Sequence, residues 1–248
     1  PILLAIQWAS LDVLSRGRTI LAVCSGGSAS DGPQFAQELA NMNVSSGDRV
    51  GRLVEGVQII RRLWSEERVT HQGTFYSFTD LEVLPKPVQK SVPILIAANP
   101  KPQGLDDRVV DRILRRVATY GDGWQTDATP VETFRERFDR IREYAEAQGR
   151  DAKNFDSCLH LMVNINDDHQ QALKEAQHFL QSYYGAGTVS QEKADLWLAC
   201  GSPEAVAEKI EAYIDAGCTL PVLRFASPDL KGQLRRCIEE VMPAFSSD

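Results

Sequence analysis

Few residues in this chain have types that do chemistry, and they are spread along it. His160 lies in residues 158–166 (CLHLMVNIN), where alternation puts Leu159, Leu161, Val163 and Ile165 on one side and His160, Met162 and Asn164 on the other. An imidazole sharing a face with an amide can move a proton or hold a substrate by hydrogen bonding. The other reading is a core histidine satisfied by a neighbour. Arg224 sits inside the apolar strand LPVLRFA, where an unpaired charge is costly, so it needs a carboxylate partner or an anionic ligand. Ser25-Gly26-Gly27-Ser28 offers small residues and free amides, either for close approach of a ligand to the backbone or as a plain turn. Arg49, at the start of a helix, can fork onto a phosphate or pair with Asp48. Asp122-Gly123-Trp124 reads as packing and a turn, with Trp124 available to wall a pocket.

Other chemistries are poorly served. There is no His-x-His, no cluster of Cys and His, no Gly-x-Ser-x-Gly and no Walker-type loop, so no metal is expected and no nucleophile stands out. The five cysteines (Cys24, Cys158, Cys200, Cys218 and Cys237) are odd in number, lack Cys-x-x-Cys spacing and read as reduced core residues.

The elements that must position these groups follow from periodicity. Residues 1–15 predict a helix with Leu3, Ile6, Leu11 and Leu14 as its stripe, ended by Gly17. Strand 18–25 then leads to helix 48–64, strand 92–98 to helix 108–120, and strand 121–127 to a helix whose capping box is Thr129, Pro130 and Glu132. Strand 158–166 leads to helix 168–184, residues 185–201 read as loop, and Ser202-Pro203 opens a helix that Gly217 ends. Strand 219–226 and helix 228–242 close the chain. Five strand-then-helix units in series imply a parallel sheet with right-handed crossovers.

At 248 residues, with 43% hydrophobic and 25% charged side chains, the chain is long enough to bury one large core, and a single domain spanning 1–248 is expected. The net charge of −7 is spread along helix faces, which argues against nucleic acid. No apolar run approaches the ~20 residues needed to cross a bilayer, and no signal peptide is evident, so a cytoplasmic protein without a membrane partner is expected.

One ordered set of motifs carries more than any single residue. Residues 69–99 contain His71-Gln72-Gly73 followed by Phe75 and Tyr76, then Pro85-x-Pro87-x-Gln89, then Pro93-Ile94-x-Ile96. Around them stand Leu11-Asp12-Val13-Leu14-Ser15 before Gly17-Arg18, Arg49-x-x-Arg52-x-x-Glu55 before Leu63-Trp64, and Gly121-Asp122-Gly123-Trp124. Gly201-Ser202-Pro203-Glu204 with Ala216-Gly217 completes the set. This order resembles the bacterial luciferase-like monooxygenases, the flavin- and deazaflavin-dependent oxidoreductases.

The resemblance implies a TIM-type (β/α)8 barrel of the luciferase-like class, of which the five units here correspond to strands four to eight. The first three βα units have no counterpart. They have been lost from this chain, or are supplied by another polypeptide, or the member is divergent and shortened. The resemblance also implies a two-electron oxidoreductase, a luciferase-like monooxygenase acting on a small organic substrate, with FMN placed ahead of deazaflavin as the reduced cofactor. A supplier of that cofactor and a second copy of the chain are the implied partners. The alternative is a non-catalytic flavin-binding or partner subunit. Ser25, Gly26, Arg49, Ala98, Asn99 and Trp124 are the implied cofactor contacts and His160 the catalytic candidate. On this expectation the loop after the first strand, the Asn99 loop and Arg49 converge into one cradle for a ribityl phosphate, with the ring towards His160 and Trp124.

Overall fold

The computed structural model describes residues 1–27, 33–100, 106–185, 187 and 189–246. Its strands are β1 (Leu21–Val23), β2 (Val69–Gln72), β3 (Ser77–Leu81), β4 (Ile94–Ala97), β5 (Gly123–Asp127), β6 (Asp156–Ile165), β7 (Leu198–Gly201) and β8 (Leu220–Phe225). Its α-helices are α1 (Ile2–Ser15), α2 (Pro33–Asn41), α3 (Arg49–Ser65), α4 (Asp107–Tyr120), α5 (Val131–Glu146), α6 (His169–Tyr184), α7 (Gln191–Trp197), α8 (Pro203–Asp215) and α9 (Leu230–Arg236).

Every pairing in the main sheet is parallel, in the order β1, β4, β5, β6, with β8 on the far side of β6. The five strands are those of the five βα units read from the sequence. β7 pairs with Met162–Ile165 of β6, above the stretch Asp156–His160 that β5 occupies, so it continues the edge that β5 leaves. Among the described residues β1 and β8 each have one neighbour, and the sheet is open at both sides. β2 and β3 form a separate antiparallel hairpin.

One face of the sheet is covered by helices. Ile96, Trp124, Leu159, Leu161 and Val163 pack against Leu114 and Val117 of α4, Phe134 and Ile141 of α5, and Val206 and Ile210 of α8. Leu21 and Ile94 pack in the same way against Ala5 of α1 and Val57, Ile60 and Leu63 of α3. Side-chain alternation sends the opposite set, including Gln125, Asp127, His160 and Arg224, to the other face. Helix starts follow local chemistry: the side chains of Asp106, Asp168, Ser202 and Asp229 accept hydrogen bonds from amides of the first turns of α4, α6, α8 and α9. Arg16 ends α1 in the left-handed region at φ 58°, one residue before Gly17 at φ 75°.

Three buried or half-buried carboxylates lock the elements together. Asp12 on α1 accepts from the Thr19 hydroxyl at 2.6 Å and from the backbone and side chain of Gln89 at 3.0 and 2.7 Å. Glu55 on α3 accepts from the Phe75 and Tyr76 amides and shares a 3.0 Å hydrogen bond with His71 Nε2. A Cβ at position 73 would stand 2.0 Å from Glu55 Oε1 and 2.5 Å from His71 Nε2, so a side chain there would push this pair out of place. Asp122 accepts from Arg61 at 2.6 Å, Arg150 at 3.1 Å and the Ile94 amide at 3.0 Å.

Several expectations need correction. The buried face of α1 is Ala5, Ala9 and Asp12, while Leu3, Ile6, Leu11 and Leu14 are exposed, because the helix sits on α3 and Asp12 locks it to Thr19 and Gln89. Residues 185–201 hold α7 and β7 rather than loop alone. Thr129 does not cap α5; its hydroxyl donates to the Asp127 carbonyl and bonds to Thr126. Among the described residues no helix is long and apolar enough to cross a membrane. Among them no group of His, Cys, Asp and Glu is arranged to hold a metal.

Candidate active site

The face of the sheet left open by the outer helices is polar at its carboxyl end. The register sets Asp127 beside His160, His160 beside Val222, and Met162 beside Arg224, so Asp127, His160 and Arg224 leave adjoining strands on one side. α6 and α7 close over them, with Leu180, Ala194 and Trp197 packed on Met162, Ala128 and Ala226. The carboxyl ends of parallel strands are where such folds place ligands.

Each polar group is held. Asp127 accepts from Asn99 Nδ2 at 2.6 Å, and Lys193 Nζ lies 3.8 Å from its other oxygen. The Trp197 indole donates to the His160 carbonyl at 2.9 Å and meets the imidazole edge-on, with ring centroids 5.9 Å apart. Burial pushes the His160 imidazole below its ordinary value; Asp127 opposes this and Arg224 reinforces it. The ring is therefore neutral at pH 7 and able to take a proton. Burial also raises the Tyr184 hydroxyl, which accepts from Arg224 Nη1 at 3.5 Å and stays protonated.

Arg224 departs from its expected carboxylate pairing. Among the described residues no carboxylate meets it; its guanidinium lies 4.0 Å from the Tyr183 ring centroid and 5.5 Å from that of Phe179. A cation held over an aromatic face keeps its charge and its N–H groups for an anion.

The expected cofactor contacts divide between two places. Arg49 does not pair with Asp48; its Nη1 donates to the Gly26 and Gly27 carbonyls at 3.1 and 2.6 Å, so it joins Ser25 and Gly26 in one cleft. Asn99 instead binds Asp127 on the open face, so the single cradle expected from Arg49 and Asn99 together does not form. Ala98 has its amide bonded to the Gln125 carbonyl and its own carbonyl to the Trp124 indole at 2.7 Å. Trp124 lies on the helix-covered face, fully buried against Phe134, and therefore does not wall the site with His160. Ser28 and residues 101–105 of the loop after Asn99 lie outside the described residues.

Sequence reasoning missed Asp127, Tyr184, Lys193 and Trp197. The alternation that placed His160 would also have found Gln125 and Asp127, since Trp124 and Thr126 take the other side of the same strand. The residues on α6 and α7 reach the site only through the packing of those helices and carry no local signal.

Comparison with known proteins follows this geometry. The family described as luciferase-like monooxygenase matches residues 1–220. The F420-dependent glucose-6-phosphate dehydrogenase of Kineococcus radiotolerans is 26% identical over 98% of this chain and 73% of its own length. That of Segniliparus rotundus is 28% identical over 88% and 66%. Among solved structures, the monooxygenase RslO1 from Streptomyces bottropensis superposes with a TM-score of 0.79 at 23% identity, over 99% of this chain and 74% of that one. An F420-dependent secondary alcohol dehydrogenase in complex with an F420–acetone adduct gives 0.77 at 21%, over 100% and 76%. The solved structures share the α/β fold with its curled parallel sheet, and the family match covers most of the sequence: this chain belongs to the luciferase-like monooxygenase family of oxidoreductases.

Proposed function

We propose that this chain is an F420-dependent oxidoreductase that dehydrogenates a small hydroxylated substrate bearing an anionic group. The observation that carries this reading is the convergence of Asp127, His160 and Arg224 on one open face at the carboxyl ends of the strands. The relatives named above as dehydrogenases are F420-dependent, and the sequence-based placing of FMN ahead of deazaflavin finds no support in them.

The residues present fit a flat, anionic cofactor. Ala22 and Ala97 keep the floor of the open face low, Gln125 and Asn99 supply polar edges, and a Cβ at Gly26 would meet nothing within 4 Å, leaving that backbone approachable. Ala22, Ala97 and Gln125 would hold the ring, with Ser25 and Gly26 at the rim. When bound, F420 supplies hydride transfer. An imidazole nitrogen of His160 takes the substrate hydroxyl proton, and Trp197 fixes the ring for that transfer. Arg224 and Lys193 hold the anionic group, and α6 and α7 exclude water.

The test is loss of deazaflavin absorbance when the chain is mixed with F420 and glucose 6-phosphate. His160→Gln should lower kcat by about 10²–10⁴-fold with F420 affinity retained, while Arg224→Gln should raise KM for the anionic substrate. F420 binding without reduction by any hydroxylated anion would defeat the dehydrogenase reading.

A second reading, a non-catalytic partner subunit, is favoured by the unpaired outer edges of β1 and β8. It gains if neither F420 nor FMN binds. On either reading, three further βα units, in this polypeptide or another, would bring the five in-line strands to a closed eight-stranded barrel.

A further inference from the structure

A cleft of about 350 Å³ lies on the helix side of the sheet, away from Asp127, His160 and Arg224. Its floor is Val23, Leu53, Val57 and Ile60, all part of the packing between β1, α1 and α3. Its roof is α2, whose Phe35 and Leu39, with Met42 one turn beyond, line the cleft. No residue of α2 is buried, and Met42 is 66% exposed. An amphipathic helix that turns its apolar face to a cleft without burying it covers space rather than core.

The mouth carries two guanidinium groups. Among the described residues Arg49 Nη1 meets carbonyl oxygens, of Gly26 and Gly27, and no carboxylate. Arg52 is stacked on Phe75 and Tyr76, 5.0 and 6.0 Å from their ring centroids, and its buried Nε has no hydrogen-bond partner among the described residues. Among the described residues neither arginine pairs with a carboxylate, and the one acidic side chain lining the cleft, Glu38, leaves an excess of positive charge. A buried donor without a partner costs free energy that a ligand acceptor would recover. Apolar walls of this volume with a few convergent polar groups are the usual form of a small-molecule site.

We propose that this cleft binds an amphiphilic anion, a medium-chain carboxylate whose head lies on Arg49 and Arg52 and whose alkyl chain runs between α2 and α3. Bidentate guanidinium–carboxylate pairing suits the head, and Leu39, Leu53 and Val57 suit the chain. The cleft lies on the other side of the sheet from His160 and Arg224 and meets the site of the oxidoreductase reading only at Ser25 and Gly26, and it does not depend on that reading.

Calorimetric titration of the full chain with sodium decanoate, below its micelle concentration, tests this. One decanoate should bind per chain. Arg52→Gln should weaken it about tenfold or more, the effect of losing one charged hydrogen bond, with decanol binding poorly to either protein. Met42→Asp, at an exposed position where folding is not at stake, should also reduce decanoate binding, and Arg224→Gln should leave it unchanged. No saturable binding, equal affinity for decanol and decanoate, or equal losses in Arg52→Gln and Arg224→Gln would each overturn the proposal.

Discussion

His160 is placed between an anion and a cation that act on it in opposite directions. Burial lowers its pKa, Asp127 raises it and Arg224 lowers it again. Arg224→Gln should therefore move the His160 titration upward, and Asp127→Asn should move it further down. Proton NMR of the imidazole against pH reads both shifts, and two unchanged titrations would show that the three side chains do not share a face. Because the protonated form is the disfavoured one, a reaction that needs neutral His160 keeps its activity to lower pH than an exposed histidine would allow. His160 and Arg224 were legible because one strand's alternation and one charge in an apolar run are local signals. Of the two readings of Trp124, packing and pocket wall, its burial fits packing: it is out of phase with Gln125 and Asp127.

At the scale of elements, the motifs that announced the family prove to be locks between segments. Asp12 meets Gln89 of the Pro-x-Pro-x-Gln run, Glu55 meets His71 and the two amides beyond Gly73, and Asp122 meets Arg61 and Arg150. Their order was readable because each is a fixed pairing of polar residues across a long span of sequence. The short elements α2 and β7 and the hairpin of β2 and β3 were not, since each is set by what it docks against.

Glu55 gives a test of these locks. Burial pushes its carboxyl up, but the hydrogen bonds from His71, Phe75 and Tyr76 outweigh that and hold it below the usual range. A depressed carboxylate adds stability that is complete above its unfolded value and fades as pH falls through the folded one. Glu55→Gln should cost about 1–3 kcal/mol at pH 7, the penalty for unpairing buried donors. The gap from wild type should narrow as melts are taken into the acid range, and parallel melting curves at pH 7 and pH 4 would contradict it.

For the whole molecule, the two open edges matter most. At one, α1 exposes Leu3 and Leu14; at the other, β8 exposes Val222, and Leu230, Leu234 and Ile238 stand exposed along the C-terminal helix. Unpaired strand edges beside apolar helix faces favour association. Light scattering of the isolated chain should show a mass that rises with concentration above that of one chain. A monodisperse monomer across the range would show that five strands suffice alone. The strand count and parallel order were legible from serial βα periodicity; the openness was visible only as a missing number of units.

β6 is flanked on both sides over Cys158–Val163, by β5 and then β7 along one edge and by β8 along the other. Parallel pairing sends successive amides to alternate neighbours, and among the described residues this run is the longest with strands along both edges, against Gly123–Gln125 of β5 and Leu95–Ile96 of β4. Amide hydrogen exchange should reach its slowest, unbroken stretch there, while β8, with a single neighbour, should be protected at every second position. The strand that carries His160 would then be the last part of the sheet to open, and the imidazole would keep its place through the local fluctuations that release the strands beside it.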